Sequence, residues 1–168
     1  PNYGLLNAFL GKIGLDSLQN NWLGDASTVV IACLIPMIWQ YIGYHMLLYY
    51  SSAKGISADI YEAARVDGAS RFQIAMRIVL PMILPMIQAS MIFAIVGSLK
   101  SFDMIFILTN GGPNHASEVP ALIMYQKIFT SNQYGYASAI SVLVILECLV
   151  FTVLVQFIFK ALYRRWGA

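Results

Sequence analysis

Apolar residues run almost unbroken over three stretches of the chain, 28–50, 82–108 and 137–159, and polar or charged residues collect between them. A helix crosses the hydrocarbon of a bilayer with about 20 residues at 1.5 Å each, so each stretch predicts a membrane-spanning helix. Pro36, inside the first, removes one backbone donor and predicts a kink. Ahead of that span, in segment 1–27, the run YGLLNAFLGKIGL puts Leu5, Leu6, Phe9, Leu10 and Ile13 on one face of a short interfacial helix. Segment 109–136 opens on the turn TNGGP and continues into a helix from Pro120 to Phe129, too short to span, with Ser117 or Glu118 as its expected cap. A tail, 160–168, closes the chain. The pattern predicts an all-α integral membrane protein.

The segment 51–81 breaks the apolar rhythm with YEAARVDGASRFQIAMRIVLP. Ser57 is placed to cap a helix over 58–66, with Asp59 and Glu62 in its early turns, where the helix dipole favours negative charge. Gly68 ends that helix, because glycine tolerates the left-handed backbone of a helix stop. Ser70 and Gln73 have capping-box spacing, predicting a second helix to Leu80, and Pro81 and Pro85 mark the start of the next span. The small residues Ala63 and Ala64, beside Glu62 and Arg65, suit close approach by another protein. The alternative is an amphipathic hairpin that only joins two spans.

Composition narrows the picture. With 59% hydrophobic and 11% charged residues, the chain has too little polar surface for a soluble globule. Lys54, Arg65, Arg71 and Arg77 cluster in segment 51–81, and Lys160, Arg164 and Arg165 in the tail. That distribution is an orientation signal, with no patch suited to nucleic acid: both basic segments are expected on the cytoplasmic side, and segments 1–27 and 109–136 outside. Cys33 and Cys148 lie in apolar runs without pairing or metal-ligand spacing and are expected to be packing residues. The opening PNYGLLN has neither Met nor a leader-like segment, so the sequence is expected to be a fragment lacking its beginning.

Within the spans, Met37, Gln40, Tyr41 and Tyr44 share one helical face, and Ala94, Gly97, Ser98 and Ser101 share another. Such faces can frame a cavity with aromatic walls and hydrogen-bonding groups; they also serve plain helix packing and interfacial anchoring. No Arg or Lys lies mid-span, which favours a neutral solute over an anion. Lys100 and Asp103 are expected to pair with each other. Glu147 near the middle of the last span calls for either a structural partner or a place on a pathway. His45 has equal claim to packing and to function, and His115 is a loop residue without a companion. An intramembrane enzyme needs a nucleophile beside a base, and Glu147, His45 and Ser90 are scattered, without motif spacing. No GxxxxGK[ST] loop is present for ATP hydrolysis.

The spacing Glu62-Ala63-Ala64, three residues, Gly68, nine residues, Ile78-Val79-Leu80-Pro81 resembles the EAA signature of binding-protein-dependent ABC importer permeases. The likeness covers essentially the whole chain: GLLNAFLGKIGL, NWLGDAST, IWQYIGYHMLL, IYEAARVDGASRFQ, LTNGGPNHASE and YGYASAISVLV are similar to the carbohydrate-uptake branch, of maltose and glycerol-phosphate type. Ser57 departs from the usual proline before the motif helix, with little expected consequence, since serine also starts a helix. The resemblance implies three transmembrane helices of a MetI-like type I ABC permease core with a cytoplasmic helix-turn-helix coupling loop. It implies that Tyr61, Glu62, Ala63, Ala64, Asp67, Gly68 and Arg71 meet a cytosolic ATPase, and that Met37, Gln40, Tyr41, Tyr44, Ala94, Gly97 and Ser98 line a path for a sugar or polyol. Only the region of Trp39 and Tyr44 keeps the maltose-type side-chain character, which leaves the sugar open. Implied partners are a second permease subunit, two ABC ATPases carrying ATP and Mg, an external solute-binding protein, and lipid of a bacterial-type cell membrane. The chain itself is expected to bind no cofactor and to be no enzyme. The competing expectation is a passive channel or assembly subunit whose loop only anchors a partner.

Overall fold

The structure, a computed structural model, describes residues 4–166, with side chains to Arg164, and is helical throughout, with no strand among the described residues. Three helical stretches are long and apolar enough to cross a membrane: Val29–Lys54, Leu84–Leu108 and Tyr134–Arg164. Their outer surfaces are apolar and open; Trp39 is 82% exposed and Phe157 66%. So much exposed hydrocarbon surface marks contact with lipid or with further helices. The chain divides into two compact units, Pro1–Trp39 with Lys100–Ser141, and Gln40–Leu99 with Val142–Ala168.

In the first unit, α1 (Leu5–Lys12) is an amphipathic helix whose polar side is held by Asn7. Asn7 is 3% exposed; its Nδ2 donates to the Asn20 carbonyl at 2.8 Å, and its Oδ1 accepts from Trp22 Nε1 at 2.8 Å. A buried amide is costly unless both ends are paired, so these bonds fix α1 against the segment leading to the first span. The opposite side is open: Leu5, Leu6, Phe9 and Ile13 are all exposed. Thr28 closes the lead-in by donating to the Trp22 carbonyl at 3.0 Å. Asp25 accepts from the Ser27 backbone and hydroxyl, which favour its charged form and hold its carboxyl below the usual range.

The long helix α2 (Val29–Lys54) contains Pro36 and extends beyond the 28–50 expected from apolarity. Further on, α7 (Asp103–Leu108) and α8 (Pro120–Phe129) flank the TNGGP turn. Neither Ser117 nor Glu118 caps α8; Val119 occupies the cap position without a side-chain bond. Ser117 instead donates to the Gly112 carbonyl at 2.7 Å and pairs with the Thr109 hydroxyl at 2.8 Å, while Glu118 meets His115. Both residues lie ahead of the cap position and bond within the loop, which closes on them. Gly111 (φ 88°) permits this: a Cβ there would come within 2.7 Å of Glu118. The expected Lys100–Asp103 pair is absent, because the preceding helix stops at Leu99 and α7 begins at Asp103, so the two are not neighbours on one helix.

The second unit holds the polar loop and its flanking helices. Segment α3 (Ala58–Val66) is followed by α4 (Arg71–Ile74), a π turn over Ala75–Val79, α5 (Leu80–Met82) and α6 (Leu84–Leu99). The expected uninterrupted helix to Leu80 is widened at the π turn. Proline at 81 clashes with the carbonyl four residues back, at Arg77, and a wider turn relieves that clash. The last helix, α9 (Tyr134–Trp166), runs past the expected 137–159, carrying exposed Lys160 and Arg164 beyond the apolar run. Its inner side builds the core: Val155 and Phe159 pack on Leu84, with Ile87, Ile92, Ile95, Leu162 and Tyr163 around them. Tyr163 adds a polar tie, donating to Gln88 Oε1 at 2.7 Å.

Replacing Asn7 by Ala strands the Trp22 indole N–H and the Asn20 carbonyl, at about 1–3 kcal/mol of local stability. Hydrogen exchange over residues 5–22 should rise in that variant and stay unchanged over α3 to α6.

Candidate functional site

The loop between the first two spans forms from strong local signals. Ser57 caps α3 by accepting from the Asp59 N–H at 3.3 Å. At the other end, the Gly68 N–H bonds the Arg65 carbonyl and the Ala69 N–H bonds the Ala64 carbonyl, both at 3.0 Å, with Gly68 at φ 77°. This is a complete Schellman closure, and only a left-handed residue can occupy its glycine position without strain. Two residues later Ser70 and Gln73 form a reciprocal capping box, with Ser70 N–H to Gln73 Oε1 at 2.7 Å.

These closures decide which side chains face out. Asp59, Glu62, Ala63 and Val66 follow helical i, i+3, i+4, i+7 spacing and are all exposed, Val66 at 87%. Ala64 is buried at 6%, so the Ala63–Ala64 pair does not present one small surface; neighbours on a helix differ by about 100°. Tyr61 points back, its hydroxyl donating to the Ala53 carbonyl of α2 at 3.1 Å. Asp67 occupies the C-cap of α3, and Arg71 opens α4; both are exposed. Phe72 on α4 is 74% exposed, and with Val66 it gives the polar loop an apolar surface that sequence spacing did not single out. Isolated large apolar residues on a charged segment were the available signal.

In the spans of the same unit, α2 presents Tyr41, His45 and Tyr49 as one stripe toward α6. The Tyr41 hydroxyl lies 4.0 Å from where a Cβ on Gly97 would stand. His45 Nδ1 is 2.6 Å from Ser90 Oγ, and Tyr49 OH is 2.7 Å from the same oxygen. Ser90 is 1% exposed. Tyr44 meets the imidazole edge-on at 5.3 Å between centroids, and Tyr41 lies tilted at 6.3 Å. Gln40, Tyr41, Tyr44, Ala94 and Ser98 are exposed, while Gly97 is half-buried. In the first unit, Met37 is half-buried and its sulfur receives the Ser101 hydroxyl at 3.9 Å.

One expectation changes here. His45 and Ser90, read as scattered, are hydrogen-bonded, because packing of α2 on α6 brings residues distant in sequence together. They do not make a nucleophile and base, since Ser90 Oγ is engaged by both Tyr49 and His45 and is sealed from any substrate. Glu147 on α9 is half-buried, without a salt bridge among the described residues. Both cysteines are free thiols, and no cluster of three His, Cys, Asp or Glu residues converges among the described residues.

A capped helix-turn-helix between membrane-length helices defines the class as a multi-span helical membrane protein with a structured polar loop. Residues 4–167 match the family described as "Binding-protein-dependent transport system inner membrane component", and the chain belongs to that family. It is 39% identical over 160 residues to the probable ABC transporter permease protein YurN of Bacillus subtilis, covering 95% of this chain and 55% of the relative. With the multiple sugar-binding transport system permease protein MsmF of Streptococcus mutans it shares 39% identity over 84% of this chain and 49% of the relative. The chain spans about half the length of these curated relatives. Among solved structures, it is similar to a chain of a bacterial ABC transporter involved in the import of the acidic polysaccharide alginate. The TM-score is 0.77 and the identity 26%, with 94% of this chain and 55% of that one covered.

Gly97→Ala should raise thermal stability in detergent by about 0.5–1 kcal/mol, since a methyl group fits at 4.0 Å and alanine favours the helix. A clear loss of stability would mean that Tyr41 approaches α6 more closely than this geometry allows.

Proposed function

We propose that the chain is the core of a permease subunit of an ATP-driven importer for a sugar or related polyol. Segment 51–81 faces the cytosol and docks on an ABC ATPase. The observation that carries this reading is the loop itself: α3 and α4, closed by a Schellman glycine and a capping box, between two span-length helices of a chain in this family. Asp59, Glu62, Ala63 and Val66, with Phe72, form the docking surface; Ala64 and Gly68 hold its shape, and Asp67 and Arg71 flank the turn. The partners are a second permease subunit, two ATPases that bind ATP and Mg, and an external solute-binding protein. The chain itself catalyses no reaction. The loop and the tail after α9 lie on the cytoplasmic side of the cell membrane, supported by the basic residues they carry.

Solute passes along Gln40, Tyr41 and Tyr44 of α2 and Ala94, Gly97 and Ser98 of α6. Aromatic faces and hydroxyls suit a neutral polyhydroxy solute, and relatives named for sugar uptake, such as MsmF, support that class. The cycle needs no chemistry from this chain. Closure of the ATPases displaces α3, and the movement passes into α2 and α6 at either end of the loop.

Gly68→Arg separates this reading from a passive channel. The variant should insert and accumulate normally yet fail to retain the ATPase on co-purification, while Gly68→Ala, with strain of about 1 kcal/mol and no bulk, should retain it in part. An ATPase absent from both wild type and variant would reduce the loop to a connector. Tyr44→Ala should weaken solute affinity by about tenfold or shift selectivity with ATPase association intact; unchanged uptake kinetics would remove Tyr44 from the path.

A further inference from the structure

Between the solute face and the loop, α2 and α6 are joined by the hydrogen-bonded node of His45, Tyr49 and Ser90. Ser90, 1% exposed, is its centre, its Oγ bonded by two side chains of α2. Its neighbours suggest more than a packing contact. On the loop side, Tyr49 precedes the end of α2 at Lys54 by little more than one turn, and Ser90 follows the start of α6 at Leu84 by a similar interval. On the solute side, the His45 imidazole is flanked by the rings of Tyr44 and Tyr41. Two residues before Ser90, Gln88 ties α6 to Tyr163 of α9, over the core formed by Leu84, Val155 and Phe159. The loop-proximal part of α6 is therefore tied by hydrogen bonds on two sides, whereas Ala94 and Ser98 beyond it are exposed.

We propose that His45, Tyr49 and Ser90 are positioning residues that make the loop-proximal ends of α2 and α6 move as one body. They would thereby convert displacement of the loop into displacement of Tyr41 and Tyr44. This rests on the importer reading above. The physical reason is the cost of the alternative: if α2 slid past α6, the Ser90 hydroxyl would be left unpaired in an apolar interior, as would the two groups bonded to it. The node resists sliding and permits rigid rotation of the pair. Without it, loop movement is absorbed by slip between the helices before it reaches the tyrosines. Ser90 and Tyr49 touch neither the loop's outer surface nor the exposed face of Gln40 and Tyr44, so their removal leaves docking and the solute groups in place.

The test uses the full-length subunit assembled with its partner permease, ATPases and binding protein in proteoliposomes, with solute uptake and ATP hydrolysis measured together. Tyr49→Phe should lower solute moved per ATP by about fivefold, the scale of one lost hydrogen bond, and Ser90→Ala, which loses both bonds, by at least as much, each with ATP hydrolysis near the wild-type rate. Ser90→Thr, which keeps the hydroxyl, should restore the ratio. An unchanged ratio in both variants overturns the proposal. So does a parallel fall in uptake, hydrolysis and assembly yield, which would assign the node to stability alone. Wild-type assembly that moves no solute with ATP would instead refute the importer reading, a result separate from any effect of the variants.

Discussion

Inside a bilayer no water is available to satisfy a polar group, and that single constraint organises the whole chain. It makes every crossing segment helical, so that each backbone donor finds a carbonyl within its own segment. It also favours a partner for a polar side chain at depth, on its own helix or on a neighbouring one. Ser90 has such partners in His45 and Tyr49, and Gln88 in Tyr163. Because lipid supplies no hydrophobic drive between helices, such ties, together with close packing around Leu84, Val155 and Phe159, fix how the helices meet.

Outside the apolar runs the same need for satisfied backbone groups is met by local devices. Asn7 pins α1 to the lead-in of the first span, and the TNGGP loop closes on the hydroxyls of Thr109 and Ser117. The polar loop is terminated at every helix end: Ser57, the Gly68 closure and the Ser70–Gln73 box leave few free donors or acceptors. A segment so fully closed on itself is stiff. Stiffness suits a part proposed to transmit force, because a compliant loop would dissipate the displacement it receives.

The helix pattern was legible because hydrophobic runs and caps are local. The α3 bounds and the Ser70 box follow from a few neighbouring residues, and both agree with the expectation. The disagreements arise where a residue had a non-local choice. Ser117 and Glu118 favour the loop over α8, the break at residues 100–102 separates Lys100 from Asp103, and Pro81 forces the π turn before it. Caps and helical spacing marked the loop and the two faces in the spans, and family likeness gave them expected roles, but neither marked which side of α3 is open, nor the exposed Val66 and Phe72.

By itself, the sequence determined the class of solvent, the number of span-length helices, the capped loop between the first two and membership of the permease family. These depend on composition, periodicity and spacing, which act over a turn or two of chain. Only the tertiary structure decided that Ala64 turns inward while Ala63 turns out, and that His45, Tyr49 and Ser90 meet in one buried node. Forty-one residues separate Tyr49 from Ser90, and their contact depends on the rotation of each helix about its axis. No local pattern encodes that rotation; packing between helices sets it.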